Sequence, residues 1–259
     1  MRHVWITGAG RGIGAALALA FARQGAALSL SGRDLHTLQA KATQLQSLYP
    51  DLKVHCSAMD LSDAASVAAA WQSNHAALGP VEVLVNNAGQ ALSQPFAKTD
   101  LALWQQMLNV NLTGSYLCIQ AALPDLLAAG ASGKAARIVN IASTAGLKGY
   151  AYVSAYTAAK HGLIGLTRSL AMELAKKGVT VNAVCPGFTE TDIVRESIAN
   201  IVAKTGQTEQ QAREALVSHN PQKKMIQADE VAQTVLWLCS SAAVSVNGQS
   251  IAIDGGETM

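Results

Sequence analysis

Charge is scarce in this sequence. Only 14% of its 259 residues are Asp, Glu, Lys or Arg, and they sum to a formal +2. So small a net charge is no electrostatic footprint for nucleic acid, and no basic cluster exceeds pairs such as Lys176-Lys177 and Lys223-Lys224, read as solvated faces. Cysteine is also sparse. Cys56, Cys118, Cys185 and Cys239 lie far apart with no CxxC or CxxH, which excludes a compact disulfide framework and a zinc site and leaves buried thiols in a reducing compartment. The six histidines never cluster with acids at ligand spacing, so no metal is expected. There is no apolar run of the roughly 18 residues that a membrane helix needs. The first strand begins almost at the N-terminus, leaving no room for a signal peptide, and a cytoplasmic protein is expected.

What the chain does have is apolar surface. Half its residues are hydrophobic and its mean hydropathy is +0.20, which excludes a chain too polar to offset its ordering entropy. Short β-rich runs at 3–7, 27–31, 53–58, 81–86, 137–141, 179–185 and 250–253 alternate with helical stretches at 12–24, 35–48, 62–77, 101–129, 154–177 and 229–240. The runs are apolar throughout rather than alternating, as in a parallel sheet covered on both faces. The pattern predicts an α/β Rossmann fold: a doubly wound, seven-stranded parallel sheet with helices on both faces. No Pro/Gly-rich linker divides the chain, so 1–259 is read as one domain. Residues 189–220, polar and helical without a strong core stripe, are expected to form a small lid before the last strand.

Thr7-Gly8-Ala9-Gly10-Arg11-Gly12-Ile13-Gly14 follows the first strand and opens a helix. Glycines here allow a tight turn, backbone approach to a pyrophosphate and close helix–sheet packing, while the helix N-terminus offers N–H groups and a positive dipole end. The spacing Gly8-x-x-x-Gly12-x-Gly14 resembles the short-chain dehydrogenase/reductase family, and further motifs agree in order along nearly the whole chain. Asn86-Asn87-Ala88-Gly89 resembles the family's NNAG. Asn111 matches its catalytic asparagine, and Ser143, in Asn140-Ile141-Ala142-Ser143, its catalytic serine. Tyr156-Thr157-Ala158-Ala159-Lys160 matches YxxxK, and Pro186-Gly187 with Thr191 matches the PG motif and its threonine. Asp254-Gly255-Gly256 closes the pattern.

The resemblance implies a nicotinamide cofactor. Asp34 stands where a ribose-binding acid would favour NAD, but it reads as the N-cap of helix 35–48. The family's NAD-selecting acid is replaced by Gly32. Arg11 and Arg33 are similar to the basic residues of NADP-preferring members, and a guanidinium fork suits a phosphate dianion. NADP(H) is therefore expected over NAD(H). Asp60-Leu61 resembles the adenine-contacting pair, Asp60 also serving as a candidate N-cap for 62–77. Ile13, Asn87, Ala88 and Gly89 join the cofactor set, and Pro186, Gly187, Thr189 and Thr191 should wrap the nicotinamide.

The chemistry falls to Asn111, Ser143, Tyr156 and Lys160. A free tyrosine titrates near ~10. Lys160, one helical turn after Tyr156, is expected to lower that value and to hold the nicotinamide ribose. Tyr156 is then general acid in reduction and base in oxidation, Ser143 holds the substrate oxygen, and Asn111 anchors a relay water. His161 is read as packing. The substrate wall is expected from 90–96, 144–152 and 189–220, with Leu147, Tyr150, Tyr152 and Phe188 facing an acyl chain or ring. The layout resembles 3-oxoacyl (ACP or CoA) reductases and 3-hydroxybutyrate dehydrogenases, implying reduction of a 3-oxoacyl thioester. NAD-dependent oxidation of a 3-hydroxy acid or another secondary alcohol and a non-catalytic NADP(H) sensor are the rival readings. A homotetramer through 231–239 and 251–253 is expected by the same resemblance.

Overall fold

The computed structural model describes residues 2–259. Seven parallel strands form one sheet in the order β3-β2-β1-β4-β5-β6-β7. They are β1 (His3–Thr7), β2 (Ala27–Gly32), β3 (Val54–Ala58), β4 (Val83–Asn86), β5 (Ala136–Ile141), β6 (Val179–Pro186) and β7 (Ser250–Ile253). Every residue of β1, β5 and β6 is buried, as the unbroken apolar runs require.

Helices α1 (Gly12–Arg23), α2 (Leu35–Leu48) and α9 (Ala228–Leu238) cover one face, where Leu17, Phe21, Leu38, Val235 and Leu238 pack on Leu28, Val139 and Val184. On the other face α3 (Ala64–Leu78), α5 (Gly114–Ala131) and α6 (Ser154–Leu174) bring Val67, Leu126 and Leu174 onto Trp5, Leu84 and Ile138. Strand order runs one way from β1 to β3 and the other way from β4 to β7. The loops after β1 and β4 therefore diverge and open a crevice at the C-terminal edge of the sheet.

Some expectations need correction. The helix expected over 101–129 is two, α4 (Leu101–Leu108) and α5, joined by a π-helical turn at Asn109–Thr113. The N-cap of α3 is Asp63, whose carboxylate accepts from the Ala65 N–H at 2.9 Å, and not Asp60. Residues 189–220 do carry a core of their own. Helices α7 (Asp192–Thr205) and α8 (Glu209–Leu216) pack Val194, Ile198 and Ala212 with Val217 and Met225. Asp34 caps α2 as expected, accepting from the His36 and Thr37 N–H groups at 3.0 and 3.3 Å.

A buried polar ladder ties the sheet to α6. Asn86 donates to Asn140 Oδ1 at 2.9 Å, Asn140 donates to Thr167 Oγ1 at 2.9 Å, and Thr167 donates to the Leu163 carbonyl at 2.8 Å. Asn140→Ala leaves the buried Asn86 amide only its long 3.5 Å bond to the Ser115 carbonyl and removes the donor to Thr167 Oγ1, so it should cost about 1–3 kcal/mol in urea unfolding. Wild-type stability in that variant would show that the ladder does not anchor α6.

Candidate active site

The cleft at this edge encloses about 1850 Å³. All the sequence-selected catalytic and cofactor residues line it except Gly14, which lies behind the phosphate turn. A Cβ at Gly14 would stand 2.1 Å from the Gly8 carbonyl, so only glycine lets α1 approach the strand this closely. Gly12 sits at φ +53°, with Thr191 the nearest side chain across the cleft. Thr7 latches the β1 and β4 loops together. Its hydroxyl accepts from the Asn87 and Ala88 N–H groups, both at 3.0 Å, and the Asn87 amide donates to the Thr7 and Gly8 carbonyls at 2.9 and 3.1 Å. Thr7 escaped the sequence-level list because its role depends on a partner 80 residues away.

This cradle fits a dinucleotide. Glycines without side chains, the N-terminus of α1 and the exposed guanidinium of Arg11 surround the phosphate turn. Arg33 and Asp60 face the neighbouring lobe. Asp60 accepts from the Ser62 N–H and hydroxyl at 2.9 and 2.6 Å, and these bonds, helped by the charge of Arg33, hold its carboxyl below the usual range. Asp34 spends its carboxylate on the α2 cap.

At the far end of the cleft, the end of β5, the π turn at Asn109–Thr113 and α6 converge. Lys160 is 4% exposed, and its Nζ donates to the Ile141 carbonyl at 2.9 Å. Nζ also lies 5.6 Å from the centroid of the Tyr156 ring. The Tyr156 phenol is hydrogen-bonded to the Ser143 side chain, whose Oγ accepts from the Ala145 N–H at 3.1 Å. Burial draws Lys160 down to about 8. Burial also raises the Tyr156 phenol, outweighing the opposing Ser143 bond. The expectation that Lys160 lowers Tyr156 is thus corrected in this structure: the ammonium points at a backbone carbonyl over the ring face, and desolvation dominates.

Asn111 is 1% exposed on the π turn. Its amide donates to the Gln90 and Met107 carbonyls at 2.8 and 3.0 Å and accepts from the Gln90 N–H at 3.1 Å. The side chain therefore positions the loop after β4, a task the relay role did not foresee. His161 is exposed and bonds to the Thr157 carbonyl at 3.0 Å, so it is not a packing residue. Leu147 turns into the cluster of Leu163 and Ile164 and does not line the cleft.

Gly187 N–H donates to the Ile253 carbonyl at 3.0 Å, and Thr189 and Thr191 hydroxyls bond backward to the Gly187 and Thr189 carbonyls at 3.0 and 3.2 Å. The loop over this end of the cleft is thereby tied to β7. Tyr152 adopts φ +68°, a conformation non-glycine residues rarely take and one found at binding loops, and its carbonyl accepts from the Gln94 N–H at 2.7 Å.

A parallel doubly wound sheet, a glycine cradle at its switch point and a Ser–Tyr–Lys cluster at its edge define a nucleotide-dependent oxidoreductase. The short chain dehydrogenase family model matches residues 2–201. A D-beta-hydroxybutyrate dehydrogenase of Rhizobium meliloti is 34% identical over 255 residues, covering 98% of this chain and 97% of its relative. A 3-oxoacyl-[acyl-carrier-protein] reductase of Aquifex aeolicus is 34% identical over 251 residues, covering 97% and 95%. The solved structure of an actinorhodin polyketide ketoreductase with NADPH superposes with a TM-score of 0.92 at 30% identity, covering 99% and 97% of the two chains. This chain belongs to the short-chain dehydrogenase family. It is an oxidoreductase acting between a ketone and a secondary alcohol with a nicotinamide cofactor.

The buried ammonium has a measurable consequence. The folded protein releases the Lys160 proton near 8, against an ordinary 10.5. Between these values the unfolded chain binds more protons, so this group makes stability rise with pH there and imposes a constant penalty below about 8. Lys160→Met should therefore be more stable than wild type at neutral pH in urea unfolding, the gap closing as pH approaches 10.5. A gap that does not change with pH would contradict the burial penalty.

Proposed function

We propose that this chain reduces a ketone reversibly with NADP(H), with a 3-oxoacyl thioester as the favoured substrate. The observation that carries the reading is the joining of Ser143, Tyr156 and Lys160 at one end of the dinucleotide cleft. The nicotinamide supplies or takes the hydride when bound. The remaining work is done by side chains. Ser143 donates a hydrogen bond to the carbonyl oxygen and stabilises the negative charge that builds there. Tyr156, kept protonated by burial, gives its proton to that oxygen and takes it back in oxidation. Lys160 holds positive charge beneath the tyrosine and is the group we assign to the nicotinamide ribose. Asn111 fixes the Gln90 backbone beside it and anchors the proton-relay water.

Two observations support NADP(H). Arg11 and Arg33 line the cleft beside the glycine turn and Asp60, and Asp34 is committed to capping α2. The ketoreductase that superposes on this chain carries NADPH. The substrate end supports a neutral carbonyl. Its walls bring Gln90, Ser93, Gln94, Tyr150 and Phe188, whereas the cleft's other cations, among the described residues, are Arg11, Arg33 and, on the last turn of α7, Lys204. These wall groups are uncharged, so none of them would pair with a free carboxylate as a cation would. That disfavours the NAD-dependent 3-hydroxy acid reading, and the intact proton-transfer cluster disfavours a non-catalytic sensor.

The proposal extends to residues 189–220 as a lid whose base is held firmly. Thr189 bridges to Ile226, and Glu190 pairs with Arg213 at 2.8 Å and Arg195 at 3.7 Å. A cytoplasmic homotetramer completes the reading. Its expected contact face is narrower than the sequence implied, because Val231, Val235 and Leu238 are spent in the chain's own core. What remains exposed there is Trp237, Val244 and the free edge of β7.

Tyr156→Phe should reduce turnover by roughly 10²–10⁴-fold while NADPH still binds, because only the proton donor is lost. Retained turnover would remove Tyr156 from the chemistry. Arg33→Ala should cut the preference for NADPH over NADH about tenfold, the equivalent of roughly 1.4 kcal/mol. An unchanged ratio of kcat/KM for the two cofactors would count against the guanidinium as phosphate partner.

A further inference from the structure

The chain's last residues return to the substrate wall. After β7, buried Asp254 accepts from the Gly256 and Thr258 N–H groups at 2.9 and 3.0 Å and from the Thr258 hydroxyl at 2.6 Å. Gly255 lies at φ +64°, where a Cβ would stand 2.2 Å from Asn220 Oδ1, so the turn admits no side chain there. The tight turn sends Glu257 inward, with a side chain only 3% exposed.

There the carboxylate meets two loops of the active site. It accepts from the Tyr150 phenol at 2.7 Å and pairs with Lys148 Nζ at 3.1 Å. Lys148 Nζ also donates to the Glu257 carbonyl at 3.2 Å and lies 4.9 Å from the Tyr150 ring centroid. Tyr150 Oη is hydrogen-bonded to Thr144 Oγ1 at 2.8 Å, next to Ser143 in the chain. A Cβ on Gly187 would lie 3.5 Å from the second carboxylate oxygen, placing Glu257 against the loop that follows β6. The next residue of that loop, Phe188, meets Tyr150 edge-on with centroids 6.4 Å apart at 87°. Burial, with the nearby carboxylate, holds the Tyr150 phenol protonated far above its ordinary range, so it remains a donor to Glu257.

We propose that Glu257 is a positioning residue for the substrate site: it fixes Tyr150 against Phe188 and so sets the aromatic wall that the substituents of the carbonyl group meet. The inference rests on the ketone-reducing function proposed above. A buried carboxylate with a phenol and an ammonium as partners holds its geometry better than either donor would alone. No substrate atom need touch it, so its removal should alter how the ketone is held and leave the proton donor intact.

The test uses the full chain, with Glu257→Ala, Glu257→Gln, Tyr150→Phe and the Glu257→Ala/Tyr150→Phe double variant. The assay substrate is the ketone that the wild type turns over best. Glu257→Ala should raise its KM about tenfold while kcat and the Kd for NADPH stay within about twofold, since lost ground-state positioning appears in KM. Glu257→Gln keeps an acceptor oxygen and should recover most of the KM. The double variant should be no worse than Glu257→Ala, as coupled residues are non-additive. An unchanged KM in Glu257→Ala would overturn the proposal, as would a KM that rises only in step with the NADPH Kd. If Glu257→Ala does not fold, a raised KM in Tyr150→Phe with NADPH binding intact supports it, and a wild-type KM in Tyr150→Phe overturns it. A wild type that reduces no ketone refutes the underlying function, whereas wild-type turnover with an unmoved KM refutes only the role of Glu257.

Discussion

A buried ammonium is the constraint around which this active site is organised. Lys160 gives up water for one backbone acceptor, the Ile141 carbonyl, and desolvation draws its pKa down to about 8. That arrangement is tolerated only because β5 and α6 are held in fixed register. The Asn86–Asn140–Thr167 ladder joins β4, β5 and α6. Ser143 follows directly from the end of β5 and Tyr156 stands one helical turn before Lys160, so the same register that buries the charge also brings the hydroxyls together. Gly89 completes the enclosure: a Cβ there would lie 2.8 Å from Asn111 Oδ1 and 3.6 Å from Lys160 Nζ.

Much of this could be read from the sequence because local rules govern it. Strands buried on both faces are apolar without alternation, so all seven were found with small shifts at their ends. The glycine turn, the Ser143 strand end and the Tyr156–Lys160 helical turn are short-range patterns, and the fold carries them to one edge. Asp34 was legible as a cap because its carboxylate is satisfied within the next three residues.

The misses have a different physical origin. The π turn at Asn109–Thr113 contains no Pro or Gly to mark it. Its register is bound up with the Asn111 amide, which bonds both to Met107 one turn back and to Gln90 on another loop. Asp60 and Asp63 stand three residues apart, and only backbone geometry shows that the second caps α3 while the first closes a turn on Ser62. The core of 189–220 was within reach, because Val194, Ile198 and Ile201 recur at helical spacing. The pairing of Tyr150 with Glu257 was not, since 107 residues separate them and no periodicity relates a loop tyrosine to a C-terminal glutamate.

The central claim is that the cleft joins an NADPH-binding cradle to a proton donor for a neutral carbonyl. It is tested most directly by following NADPH oxidation at saturating acetoacetyl-CoA and with a panel of uncharged ketones, then repeating the series with NADH. The account predicts turnover of a neutral ketone or thioester, with NADPH the better cofactor. NADPH binding without turnover of any ketone, or turnover confined to carboxylate-bearing substrates with NADH, would contradict it.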